Sequence, residues 1–246
     1  MQQVSERRAI FILEGCWELD KLDINRSTVY PFADGIAKMA HDIEVYHSRF
    51  YDTSSFRKAL AALTKARFKN VVLWIAAHGD GTTLGETKIL DVLIETNILS
   101  REANITGLVL GGCRTAGRDG QANISTICTA MEDSSIIWAQ AYSCDSYWFQ
   151  STLIDASMIK HMLDIDLDDC WDRDQLSARL AEGLAPFAPH AQLGHYQYRA
   201  GTRTQHIKAK DGLVFVTQPK GQGQRAKNVT DQVVDCWLEL ASPEHQ

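Results

Sequence analysis

A histidine and a cysteine, each set just after a short apolar run, are the residues of this chain best suited to chemistry. Val71 to Ala77 leads into His78-Gly79-Asp80-Gly81, and Leu108-Val109-Leu110 leads into Gly111-Gly112-Cys113-Arg114. A cysteine attacks only as its thiolate, and an imidazole within reach can take the proton or hold the ionised sulfur. The interval, 113 − 78 = 35 residues, is long enough for one crossover that returns the chain beside itself. Gly79, Gly111 and Gly112 would leave room for a substrate backbone. The amides of Gly79 and Cys113 are candidates for an oxyanion site, where one such donor can be worth about 3 kcal/mol. Each motif also has a plain reading, as a turn after a strand or as a buried thiol beside a tight turn.

The elements that must position this pair follow from hydrophobic patterning. Runs such as Val71–Ala77 are too short for a helix and apolar at every position, as expected of parallel strands buried on both faces. Ala9 to Gly15, Ile43 to His47, Leu108 to Gly111 and Ser135 to Tyr142 read as further strands. Helical spacing is visible over Pro31 to Asp42, in the stripe Phe56, Leu60, Leu63 with Ser54 or Ser55 as cap, and over Asp119 to Met131, Tyr147 to Leu163 and Asp174 to Leu184. Ile89 to Ile94 fits either a short helix or a strand pair. Strands alternating with helices predict an α/β fold with a mostly parallel sheet covered on both faces. The tail differs: His195 to Arg199, Gln205 to Ala209 and Leu213 to Val216 read as strands, the last two joined by a tight Asp211-Gly212 hairpin turn, with a short helix over Val229 to Leu240.

Composition narrows the function classes. The 246 residues suit one large α/β core with an appendage, and 45% apolar with 23% charged residues is ordinary for a globular chain. A net charge of −6 without a basic patch argues against nucleic acid as partner. No window resembles a membrane span, and the start, Met-Gln-Gln-Val-Ser-Glu-Arg-Arg, lacks a signal-peptide core, so the expected location is the cytoplasm, with no membrane partner. The six cysteines lack C-x-x-C pairs, and the histidines lack metal-ligand spacing, so no metal and no cofactor is expected.

Leu110-Gly111-Gly112-Cys113-Arg114-Thr115-Ala116-Gly117, preceded by Val71 to Gly79 and followed by Ile136 to Tyr142 and Cys144-Asp145, resembles the caspase-like cysteine peptidases of clan CD, most closely their bacterial CHAT-type branch. The resemblance covers about residues 66 to 185. It implies a caspase-like three-layer fold, with residues 1–190 as the peptidase domain and 191–246 as a small β-rich extension packed on it. It also implies a Cys-His dyad with no third member: His78 as general base, Cys113 as nucleophile, Gly79 beside the oxyanion site. Caspases carry Gln-Ala-Cys-Arg-Gly, with the histidine about 50 residues upstream. This chain has Gly-Gly-Cys-Arg-Thr and a shorter interval, so specificity for aspartate is not carried over.

In that family the primary pocket is lined by the loop after the first strand, the residues before the cysteine and the segment after the next strand. These correspond to Glu18 through Asp23, Gly111-Gly112 and Cys144-Asp145. Asp20 and Asp145, with Gly112, are accordingly the expected substrate-binding residues, and their charge points to a protein or peptide cleaved after lysine or arginine. An active peptidase without a secretion signal implies control by an activating protein or a small-molecule signal, and the resemblance suggests bacterial defence or programmed cell death. Two other classes fit the same residues: a non-catalytic caspase-like module binding a partner or a nucleotide-type ligand, and an α/β hydrolase or transferase acting on a small molecule. The missing G-x-S-x-G elbow lowers the last.

Overall fold

The computed structural model describes residues 4–15, 28–117, 123–166, 170–197, 204–221 and 223–242. In chain order the elements are β1 (Val4–Gly15), α1 (Tyr30–Met39), β2 (Ile43–Phe50), α2 (Thr53–Leu63), β3 (Arg67–Ala76), β4 (Thr83–Leu84), β5 (Thr87–Lys88), α3 (Ile89–Ala103), β6 (Ile105–Gly111), α4 (Ile124–Met131) and β7 (Trp138–Tyr142). There follow β8 (Asp145–Ser146), α5 (Trp148–Leu163), α6 (Arg173–Leu184), β9 (Gln192–Gln197), β10 (Thr204–Lys208), α7 (Ala209–Gly212), β11 (Leu213–Thr217), β12 (Lys227–Asn228) and α8 (Thr230–Leu240).

Seven strands form the central sheet in the order β12-β11-β7-β6-β3-β1-β2. The five strands from β7 to β2 are parallel, and β11 and β12 complete the sheet antiparallel at one edge. The period-2 alternation of β3 sorts the two cores. Val72, Trp74 and Ala76 face α1, α5, α6 and α8, whereas Val71, Leu73, Ile75 and Ala77 face α2, α3 and α4. Both faces of the sheet are therefore covered, which is why its strands read as unbroken apolar runs. No helix among the described residues is long and apolar enough to cross a membrane.

Several local expectations change. Ile89 to Ile94 is the start of the fifteen-residue α3. The cap of α2 is Asp52, whose side chain accepts from the Ser55 amide, while Ser55 sits inside the first turn and closes the capping box. The predicted Asp211-Gly212 hairpin is absent: those residues end the short helix α7, β10 pairs with β9 in a separate three-stranded sheet, and β11 pairs with β7 in the central one. Asp-Gly serves a helix end as well as a turn, and strand partners are chosen by burial, which local chemistry does not encode. Cys128 and Cys236 are half-buried.

Candidate active site

Strand register places the histidine and the cysteine side by side. Ala76, the last residue of β3, pairs with Gly111, the last of β6. That offset, 111 − 76 = 35, equals the 113 − 78 = 35 separating His78 from Cys113. Both side chains therefore leave the carboxyl edge of the sheet two residues beyond paired strand ends, where open α/β sheets keep their sites. The two loops are packed backbone to backbone. A Cβ on Gly79 would lie 3.0 Å from Cys113 N and closer still to Cys113 O.

Local hydrogen bonds hold each loop. After the histidine, Asp80 Oδ1 accepts from the amides of Thr82 and Thr83, both at 2.7 Å, and from Thr82 Oγ1 at 2.8 Å. Burial opposes the Asp80 charge, but these donors outweigh it and lower the carboxyl's pKa. After the cysteine, buried Thr115 donates to Leu110 O and Gly112 O and accepts from the Tyr142 amide at 3.0 Å, tying the turn to β7. Arg114 takes the left-handed conformation, φ 56°, with its amide bonded to Cys144 O. Asn123 Nδ2 bridges Gly81 O at 2.9 Å and Thr115 O at 3.0 Å, joining the two loops directly. Gly79→Ala is expected to cost about 1–3 kcal/mol in urea denaturation, because backbone cannot yield as a side-chain end would. A change within experimental error would show that the loops do not touch as described.

His78 and Cys113 line one small cleft of about 100 Å³, together with Val29, Gly112, Ser146 and Asp155. The Cys113 thiol is half-buried, donates to Ser146 O at 3.7 Å and lies 3.9 Å from Ser146 Oγ. Burial is the largest influence on it and pushes the thiol above its ordinary pKa. The Ser146 contacts and the Arg114 charge pull the other way, and the Asp145 charge adds to the rise. Ser146 belongs to β8, which pairs with β9, so a strand from the last part of the chain holds this wall in place. The opposite wall is held by buried Glu14 at the end of β1, which accepts from the Val29 amide at 2.9 Å, from Thr28 Oγ1 at 2.7 Å and faces His47 Nε2 at 3.0 Å.

The acids expected in the pocket are placed differently. Asp20, with Glu18 and Asp23, lies outside the described residues. Asp145 forms an ion pair with Arg114, so its carboxylate braces the cysteine turn. Gly112 is packed: a Cβ there would lie 2.7 Å from Ala77 O and nearer to Leu84. The carboxylate that does line the cleft is Asp155, on α5. It is 2% exposed and accepts from Trp74 Nε1 at 3.1 Å, Gln140 Nε2 at 2.7 Å and the Tyr142 hydroxyl. All three donors are neutral, and burial lifts its pKa to about 7 against the hydrogen bonds from Tyr142 and Trp74. Gly111 gives it space, since a Cβ there would lie 2.9 Å from Asp155 Oδ2. The sequence did carry a signal for this residue: Asp155 interrupts the apolar stripe Ile154, Met158, Ile159, Met162 of α5.

No protein-family model matches the chain, and no curated protein is significantly similar to it.

Proposed function

We propose that the chain is a caspase-like cysteine endopeptidase of the CHAT type, cleaving polypeptides after a lysine or arginine. The observation that carries this reading is the convergence of His78, Cys113 and the buried Asp155 carboxylate on one cleft at the carboxyl edge of the sheet. In the proposed reaction His78 accepts the Cys113 proton as sulfur bonds to the substrate carbonyl carbon, and the charge on the carbonyl oxygen develops beside the Gly79 and Cys113 backbones. The imidazolium then protonates the departing amine, leaving a thioester. Water, deprotonated by His78, releases the acid and restores the thiol.

Asp155 takes the selectivity role first assigned to Asp145 and Asp20. A buried carboxylate served only by neutral donors gains from a guanidinium or ammonium that enters with the substrate. Control fits as well. A thiol held above its ordinary pKa by burial is a weak nucleophile at neutral pH, so an activating protein or small-molecule signal would act by opening the cleft around Cys113. The same observation favours the second reading, a non-catalytic module that binds a partner.

The test is incubation of the purified chain with arginyl, lysyl and aspartyl fluorogenic peptides and with a peptidyl acyloxymethyl ketone that alkylates active thiols. Turnover of the basic peptides and labelling at Cys113 are expected to be slow at neutral pH and to rise into the alkaline range as the thiol ionises. Labelling spread evenly over the cysteines, without turnover, would remove the peptidase reading and leave the binding module.

A further inference from the structure

Helix α3 carries apolar residues on two faces. Ile89, Val92, Leu93 and Ala103 are buried in the core that covers the sheet, whereas Leu90, Ile94 and Ile98 face outward and are 53%, 44% and 61% exposed. Their spacing of i, i+4 and i+8 sets the three in one ridge along the helix. A single exposed isoleucine is ordinary, but three large aliphatic side chains in a row make a patch that marks an interaction surface. None of the three lines the cleft of His78 and Cys113.

Beside the ridge runs a groove of about 320 Å³ between α3 and α4. Leu90, Ile94 and Asn97 form one bank, and the short side chains of Thr126, Thr129 and Ala130 keep the other bank low. Asn97 Nδ2 donates to Ala130 O at 2.7 Å and to Glu132 O at 3.0 Å, which fixes the two banks relative to each other. A ridge with a groove alongside it is self-complementary. Under a two-fold axis the ridge of each copy enters the groove of the other. The ridge is also symmetric about its centre, since Leu90 and Ile98 stand four residues to either side of Ile94.

Charge selects the orientation. Glu86, in the turn before α3, and Arg101, in its last turn, are both exposed. Among the described residues neither has an ion-pair partner. They stand eight residues before Ile94 and seven after it. An antiparallel pair centred on Ile94 therefore brings Glu86 of each copy to the partner's Arg101, at both ends of the contact. A parallel pair would set arginine against arginine and align the two helix dipoles unfavourably.

We infer that two copies of this chain dimerise through α3, antiparallel about a two-fold axis at Ile94, with Leu90 of each copy against the partner's Ile98. The fifteen residues of α3 span about 22 Å, and one such face offers less than the roughly 800 Å² a side of a stable complex. The dimer is accordingly weak and reversible, and it does not depend on the peptidase reading.

Sedimentation equilibrium of the full chain from about 5 to 500 µM tests this without any peptidase readout, and a reversible monomer–dimer equilibrium is expected across that range. Ile94→Asp places an unpaired charge at the centre of the contact and should weaken association about tenfold or more. Its melting temperature at low concentration should match the parent's, because the side chain is exposed in the monomer. Glu86→Arg should weaken the dimer several-fold by setting like charges together, and adding Arg101→Glu to it should restore the parent affinity. That rescue reads the antiparallel register directly and holds whether or not Ile94→Asp folds. A monomer at every concentration, including one whose α3 face binds a different protein, would overturn the inference. So would a dimer indifferent to Ile94→Asp, or a charge exchange that fails to restore association.

Discussion

Asp155→Asn is expected to lower kcat/KM for an arginyl peptide about 100-fold or more, while the citrulline analogue of the same peptide changes only a few-fold. Asparagine keeps the size and one acceptor but removes the charge, and losing a buried charge-to-charge contact costs about 3 kcal/mol or more. Comparing arginine with citrulline in the same enzyme cancels whatever the substitution does to His78 and Cys113. The pH dependence of that ratio is a second readout. The folded-state pKa of Asp155 is raised to about 7, so below that pH the carboxyl is neutral and offers the guanidinium no charge. The arginine-to-citrulline ratio should therefore climb as pH rises through about 7, and stay flat in Asp155→Asn. A flat ratio in the unaltered protein would remove Asp155 from substrate recognition.

Stability should move in the opposite sense. With the folded pKa of Asp155 above its ordinary value of 3.8, the folded state holds its proton where the unfolded chain has lost it. The contribution of this residue is most favourable below about pH 4 and is lost as pH rises through about 7. Urea denaturation across that window should show Asp155→Asn losing this component of the slope. An arginyl inhibitor bound in the cleft should restore stability at pH 8.

Cys113→Ala is expected to abolish peptide turnover, at least about 1,000-fold, with the melting temperature little changed because the thiol is only half-buried. His78→Ala should give a comparable loss of turnover, since sulfur then lacks its proton acceptor. Because burial raises the Cys113 pKa, alkylation of the unliganded protein should accelerate with pH well into the alkaline range. An activator that opens the cleft should shift that curve toward neutral pH. Turnover surviving in Cys113→Ala would assign the chemistry to another residue, and rapid labelling at pH 6 without any activator would contradict a resting thiol held above its ordinary pKa.

The strands, and the placing of His78 and Cys113 at their ends, were legible because they rest on local regularities. A parallel strand buried on both faces must be apolar at consecutive positions, so Val71–Ala77 and Leu108–Leu110 announced themselves. A glycine-bracketed polar residue at the end of each then had only one edge of the sheet to occupy. The 35-residue interval gained its meaning from the register Ala76–Gly111, which is the same offset seen from the backbone. α3 was ambiguous over Ile89 to Ile94 because the exposed Leu90 and Ile94 blur its apolar face.

What the sequence by itself determined, then, is the layered α/β core with its mostly parallel sheet, and the placing of His78 and Cys113 at one edge of it; both follow from patterns a few residues long. What only the tertiary structure decided is which carboxylate faces them. Asp145 is adjacent to the expected pocket in the chain, yet the left-handed turn at Arg114 brings a guanidinium onto it. Asp155 lies ten residues further along a helix, and it reaches the cleft because Trp74 of β3 and Gln140 and Tyr142 of β7 hold it there while Gly111 stands aside. A carboxylate's environment is set by groups distant in sequence and close in space, and short-range patterns do not carry that information.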